Sequence, residues 1–236
     1  MDKWKNFFQS YRVIDAQNDN DLLYQVGTTV KGKPISSEQH IAIINSIKSG
    51  LSLNSLDSII DLCCGNGVIT FDLSEHVASV LGIDASLPYI NNAKKLKSKS
   101  NIFYINDDII NLKNHCANNK YNKALIYSSL AYFSTAEFSE ILHHLKNLSV
   151  EKIFIGSILD TSKKFEFFNT FKRKLHYLFN YVILRNDLGL GRWWSRNEIT
   201  QIAKKAGYEV DFVSQNSILH TAHYRFDVIL KLKVLV

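Results

Sequence analysis

Between Ser36 and about Ser49, Ile41, Ile44 and Ile47 recur at near-helical spacing, with Ala42 and Ile43 alongside. Ser36 or Ser37 is placed to cap this helix, and Glu38 falls in its first turn. Downstream, short apolar runs alternate with helical stretches. Strands are predicted at Ser58–Leu62, Val80–Asp84, Ile102–Asn106, Ala124–Tyr127 and Lys152–Ser157, and helices at Thr70–Val77, Leu87–Lys97 and Ser134–Leu148. That alternation predicts a parallel sheet with helices on both faces. Glu198–Ala206 reads as a helix closed by Gly207, and strand-like stretches at Tyr208–Ser214 and Tyr224–Leu232 predict an antiparallel hairpin at the end of the sheet.

Only Pro34 and Pro88 interrupt the chain, and no repeat or low-complexity linker marks a boundary. A single domain over 1–236 is expected, in four parts: an N-terminal lid segment (1–35) of one or two short helices, a core (36–157), an inserted lid (158–197), and the last helix with the hairpin (198–236). At 236 residues and 46% hydrophobic composition, the chain can close one sizeable core. No apolar run is long enough to span a bilayer, and Met1-Asp2-Lys3-Trp4-Lys5 lacks the order of a signal peptide, so a cytoplasmic location is expected. Cys63, Cys64 and Cys116 make neither a disulfide framework nor a zinc site, and no metal is expected. The net charge of +6 is spread along the chain apart from Lys172-Arg173-Lys174, which disfavours a nucleic-acid partner.

The chemistry concentrates at predicted strand ends. In Ile59-Ile60-Asp61-Leu62-Cys63-Cys64-Gly65-Asn66-Gly67-Val68 a strand runs into a glycine turn and then a helix, where a ligand can approach the backbone closely. Val80-Leu81-Gly82-Ile83-Asp84 ends in an acid about 20 residues further on, the spacing at which a carboxylate accepts ribose hydroxyls. Asn101 to Ile109 is a strand ending in Asp107 and Asp108. An acid there can accept an exocyclic adenine amine while Ile109 covers the ring. The G-x-G-x-x-G spacing of nicotinamide and flavin sites is absent, since Ile69 and Thr70 follow Gly67-Val68.

In these features, the stretch from Asp57 to Ser157 resembles the core of class I S-adenosylmethionine-dependent methyltransferases. The resemblance implies a Rossmann-like α/β fold: a seven-stranded mixed sheet in the order 3-2-1-4-5-7-6, helices on both faces and a C-terminal antiparallel hairpin. By position, it makes Asp61 the acid that organises the loop and the methionine amine, with Cys63 standing where the first glycine usually does and Gly65 and Gly67 as the second and third. Asp84 would bind the ribose, Ala85 would lie beneath the adenine, and Asp108 rather than Asp107 would meet the adenine beside Ile109. Cys63 and Cys64 read as packing residues. The cofactor implied is S-adenosylmethionine, released as S-adenosylhomocysteine.

The acceptor is expected near Tyr127-Ser128-Ser129-Leu130, which carries neither the Asn/Asp-Pro-Pro run of base-amine methylation nor the Pro-Cys of cytosine C5 methylation. Those residues suit a small molecule. Tyr127 and Ser128 would line the methionine end, and Tyr132 would face the acceptor or sit as a half-buried aromatic. Of the histidines, His40, His76, His115, His143 and His144 read as structural or solvated. His220 and His223, in the turn before the last strand, are the candidate bases for oxygen methylation, a solvated hairpin loop being the alternative. In the inserted lid, Trp193 and Trp194 flanked by Arg192 and Arg196 can stack on a ring and pair with an anion, or anchor the lid to the core. Tyr11, Tyr24 and Gln25-Val26-Gly27-Thr28-Thr29 can close over the cofactor. The expected reaction is methyl transfer to oxygen of a sugar or surface-polysaccharide precursor, because the whole chain faintly resembles methyltransferases found with such genes. RNA methylation and non-catalytic cofactor binding are the alternatives, and the oligomeric state is left open.

Overall fold

The computed structural model describes residues 2–116, 120–183 and 191–233. The chain opens with two helices, α1 (Asp2–Ser10) and α2 (Asp19–Gln25), and a two-stranded antiparallel ribbon, β1 (Thr29–Val30) and β2 (Lys33–Pro34). Then come α3 (Ser37–Leu51), β3 (Ser58–Leu62), α4 (Val68–Leu73), β4 (Ser79–Asp84), α5 (Leu87–Leu96), β5 (Ile102–Asn106), α6 (Leu112–His115), β6 (Lys123–Tyr127), α7 (Thr135–Asn147) and β7 (Lys152–Leu159). The inserted segment holds α8 (Lys164–Phe167) and α9 (Phe171–Tyr177), and α10 (Arg196–Ala206), β8 (Tyr208–Ser214) and β9 (Arg225–Leu232) complete the chain.

The main sheet has seven strands in the order β5-β4-β3-β6-β7-β9-β8. The first five run parallel, and β9 pairs antiparallel with both β7 and β8. This is the 3-2-1-4-5-7-6 order. Alternation along each strand divides the core. Ile59, Val80, Leu125 and Phe154 face α3 and α4, while Ile60, Ile83, Ile126 and Ile155 face α7 and α10. In α7, Phe138, Ile141, Leu142 and Leu145 fall at i, i+3, i+4 and i+7 and are all buried. Each contributes about 1.5–3 kcal/mol on burial. Capping boxes start α3 (Ser36 with Gln39), α7 (Ser134 with Glu137) and α10 (Ser195 with Glu198), and Gly207 closes α10 in the left-handed region.

β7 continues two residues past the predicted end at Ser157, and its pairing with β9 shifts register between Ile155 and Ile158. The bulge keeps Ile158 and Leu159 in the sheet, so the inserted segment leaves the core only after Leu159. Within it, Phe168 and Tyr177 pack against Trp193 and Tyr224. Phe171, Leu175, Leu178, Phe179 and Ile183, at i, i+4, i+7, i+8 and i+12, all face outward, Phe171 being 81% exposed. Gly189 and Leu190 of the predicted lid lie outside the described residues. Among the described residues, no helix is long and apolar enough to cross a membrane.

Candidate cofactor and acceptor site

The parallel strands β3, β4 and β6 end on a common rim, and a cavity of about 490 Å³ opens there. Its floor is the turn after β3. Cys63, Gly65 and Gly67 all take positive φ, at 62°, 58° and 76°. A Cβ on Gly67 would run into the Tyr104 hydroxyl and one on Gly65 would press on Val26, so the two glycines answer both backbone and space. Gly67 caps α4 from below and does not line the cavity.

Three carboxylates converge on the rim. Asp61 is buried, accepts a hydrogen bond from Thr70 Oγ1 at 2.6 Å, and is pushed up to about 7, chiefly by burial and further by Asp84. Asp84 Oδ2 accepts the Gly65 N–H at 2.9 Å and Oδ1 the Ser86 N–H at 2.8 Å. Burial raises Asp84 to about 6 against those two hydrogen bonds. Asp108 lines the cavity beside Ile109 and is ion-paired with Lys5. Asp107 lies outside the cavity. Its oxygens bind Asn111 Nδ2 at 2.8 Å, His115 Nε2 at 2.6 Å and the Asp108 N–H, which hold it below the usual carboxylate range.

Helix α1 roofs the cavity. Trp4, Phe7, Phe8 and Tyr11, at i, i+3, i+4 and i+7, turn their rings inward, and Tyr132 packs on Trp4 and Phe8 at 4.6 and 5.0 Å. Polar clamps hold the roof. Gln9 Nε2 donates to the Ala85 carbonyl at 2.6 Å, Ser86 Oγ to that of Phe8 at 2.9 Å, and Tyr89 Oη to those of Tyr11 and Gln25, both at 3.2 Å. The far wall is polar, formed by Tyr127, Ser128, Ser129 and Arg225, and His40 lines the cavity with its Nε2 2.6 Å from Asp72 Oδ2.

These acceptors fit S-adenosylmethionine, whose ribose hydroxyls and amines donate. The Asp84 carboxylate is oriented by two backbone N–H groups at the end of the second core strand, and Cβ-free backbone lies between it and Asp61. Residues 59–149 match the family described as a methyltransferase domain. Together with the sheet order, this match gives the chain the fold of class I S-adenosylmethionine-dependent methyltransferases.

Several relatives share this methyltransferase core. The 23S rRNA (uracil(1939)-C(5))-methyltransferases RlmD of Francisella tularensis subsp. novicida and subsp. tularensis are 29% identical over 109 residues, 44% of this chain and 23% of theirs. The chain thus spans under a quarter of the length of these curated relatives. Magnesium protoporphyrin IX methyltransferase from Synechocystis, solved with S-adenosylhomocysteine, superposes with a TM-score of 0.64 at 16% identity, over 98% of this chain and 99% of that one. A methyltransferase from Anabaena variabilis gives 0.63 at 18% identity, over 98% and 94%. At such identities the likeness is one of fold.

Around the methyltransferase cavity, the structure gathers Asp61, Cys63, Gly65, Asp84, Ala85, Asp108, Ile109, Tyr127 and Tyr132. It does not bring in the tryptophan pair or its arginines. Trp194 is fully buried, with Nε1 donating to the Leu130 carbonyl at 3.1 Å, and Trp193 packs among Leu159, Phe168 and Tyr224. Arg192 pairs with Glu198 at 2.5 Å and Arg196 with Asp160 at 3.8 Å. In this position all four fasten the inserted segment to the core, because two indoles that close an apolar gap have no face left for a ligand. His220 and His223 are exposed on the turn before β9 and do not line the cavity. Burial pushes the thiols of Cys63 and Cys64 well above their usual value, which leaves them un-ionised packing groups.

Sequence reasoning passed over Trp4, Lys5, Phe8 and Arg225 and read His40 as structural or solvated, whereas all five line the cavity. The aromatic stripe of α1 was legible, since Trp4, Phe7, Phe8 and Tyr11 keep helical spacing. Nothing local distinguishes Arg225 or His40 from other surface residues. Each reaches the cavity only through the packing of its element.

Proposed function

We propose that this protein transfers the methyl group of S-adenosylmethionine to an oxygen of a small molecule, a sugar or surface-polysaccharide precursor. The observation that carries the reading is a partly open cavity whose one end holds Asp61, Asp84 and Asp108 and whose other end is lined by hydroxyls, with α1 as its roof. Asp84 would hold the ribose, Asp108 with Ile109 the adenine, and Asp61 the methionine amine. When bound, S-adenosylmethionine supplies an electrophilic methyl group on a sulfonium. The chain's part is to align an acceptor oxygen with that methyl and to exclude water, which α1 and its aromatic cluster favour. Residues 1–35 act in this reading as the lid over the cofactor.

A second reading, methylation of RNA, is favoured by one observation, the rRNA methyltransferases among the relatives. The roof that α1 sets over the cavity favours the smaller acceptor, since a strand delivering a flipped base has to lie across the mouth that α1 covers.

Calorimetric titration with S-adenosylmethionine, S-adenosylhomocysteine and NAD comes first. It is followed by transfer of labelled methyl to nucleotide sugars, sugar phosphates and ribosomal RNA. Micromolar binding of both adenosyl ligands and label on a sugar support the proposal. Label on RNA alone overturns the acceptor, and silence with both adenosyl ligands overturns the cofactor.

A further inference from the structure

Arg225 begins β9, the strand that pairs with β7 at its bulge. The bulge places Ser157 at φ 63°, and across the parallel pair Ser128 stands at φ 57°, the left-handed region that side-chain-bearing residues avoid. Two such serines at the carboxyl ends of neighbouring strands, beside a bulge, are strain collected at one point of the cavity rim. Arg225 joins them. Its Nη1 donates to Ser157 Oγ at 2.8 Å, to the Ser157 carbonyl at 3.2 Å and to Ser128 Oγ at 3.3 Å.

Those three are the hydrogen bonds of the guanidinium among the described residues, and its Cζ lies 5.5 Å from the centroid of the Tyr224 ring. Nε is buried without a hydrogen-bond partner, and among the described residues no carboxylate forms an ion pair with Arg225. Asp227 feels the charge of Arg225 without reaching ion-pair contact, and its Oδ1 already accepts the Ser157 N–H at 2.7 Å and Gln215 Nε2 at 3.0 Å. Gln215 is fixed in turn by Thr221 Oγ1 at 2.9 Å. A guanidinium presents its Nε and one Nη as a parallel pair that matches two oxygens of a carboxylate or phosphate. Here one edge is pinned to the protein and the Nε–Nη2 edge is unengaged on a residue that lines the cavity. Leaving a buried cationic donor unpaired costs more than an ordinary hydrogen bond returns, which a bound anion would offset.

We propose that Arg225 is an oxyanion-binding residue of the acceptor end of the cavity, its Nε–Nη2 edge taking a phosphate or carboxylate group carried by the methyl acceptor. This rests on the methyltransferase reading and narrows it to acidic acceptors. The wall formed by β6, β7 and β9 lies across the cavity from Asp84 and Asp108, so the anion is bound apart from the three acids that would repel it.

The test uses the full chain saturated with S-adenosylhomocysteine and titrated with inorganic phosphate and, in parallel, acetate, followed by calorimetry and by ³¹P line broadening. The wild-type protein is expected to bind at least one of these anions saturably in the millimolar range. Arg225→Gln is expected to weaken that binding tenfold or more while S-adenosylhomocysteine affinity stays within twofold. Arg225→Lys, which keeps the charge and loses the fork, should fall between and guards against misfolding of the glutamine variant. Phosphate preferred over acetate identifies a phosphorylated acceptor, and the reverse identifies a carboxylated one. No saturable anion binding by the wild type, or anion binding unchanged in both variants, overturns the proposal. A tenfold loss of S-adenosylhomocysteine affinity in Arg225→Lys also overturns it, by assigning the residue to the cofactor's carboxylate. Failure of the wild type to bind S-adenosylhomocysteine is seen in the first titration and counts against the cofactor reading, leaving the phosphate comparison with ligand-free protein to judge Arg225.

Discussion

The Asp84 carboxylate accepts the backbone N–H of Gly65 at 2.9 Å, tying the end of β4 to the glycine turn after β3. One carboxylate thereby sets the turn's position and, with its remaining lone pairs, is free to accept from a ligand. Asp84→Asn keeps one acceptor, for Gly65, and sets its amide NH2 against the Ser86 N–H, so the fold should hold at a cost of about 1–3 kcal/mol. Removing a charge-assisted acceptor should weaken S-adenosylhomocysteine about tenfold, roughly the 1.4 kcal/mol of one such bond. Calorimetric titration of the folded variant checks it, and unchanged affinity would remove Asp84 from the ribose site.

The two buried acids predict a pH dependence. Asp61 and Asp84 are raised to about 7 and about 6 from the ordinary carboxylate value, so the folded state holds protons that the unfolded chain has released. Their stabilising contribution is complete below pH about 4 and is lost as pH rises through 6 and 7. A cationic amine bound at Asp61 favours the ionised form, so cofactor binding near pH 6 should release protons and tighten as pH rises towards 7.5. Calorimetry in buffers of different ionisation enthalpy measures the release. Asp61→Asn should reduce it.

Gly67 and Cys63 separate two uses of a left-handed residue. Gly67→Ala meets both an adverse φ and the Tyr104 hydroxyl, and should cost on the order of 2–4 kcal/mol in denaturant unfolding. Cys63→Gly relieves the same kind of backbone strain at φ 62° while giving up packing and gaining unfolded-state entropy, so it should lie within about 1 kcal/mol of wild type.

Trp194 and Phe171 test the seating of the inserted segment. Trp194→Ala empties a fully buried site and leaves the Leu130 carbonyl without its donor, for about 3–5 kcal/mol. Phe171→Ser alters a side chain 81% exposed and should change stability by about 0.5 kcal/mol or less. A large loss from Phe171→Ser would mean that the outward stripe on α9 is covered in solution.

The strand ends were legible because a glycine turn, an acid after a second strand and an acid after a third are local features, fixed by a few consecutive residues. β3, β5 and β8 fall where the alternation of apolar positions places them, and the hairpin follows from two adjacent β-rich runs after Gly207. The choice of Asp108 over Asp107 comes from the family resemblance and not from periodicity, since both acids follow the end of β5. In the structure Asp107 turns to His115 and Asn111 while Asp108 lines the cavity.

Tertiary structure alone decided the rest, because it depends on residues far apart in sequence meeting across a core. Trp193 and Trp194 look like a ligand platform in sequence and are packing groups in the fold, since burial is a property of what lies opposite. Arg225 is ordinary in its own segment. It reaches the cavity only where the β7 bulge, Ser128 and the antiparallel return of β9 meet, and no local pattern encodes that meeting. The sequence by itself determined the class of fold and which acids stand at the strand ends of the candidate site, through short-range rules of turn and alternation. The acceptor end was decided by long-range packing, which sets which side chains face one cavity and which are spent holding it.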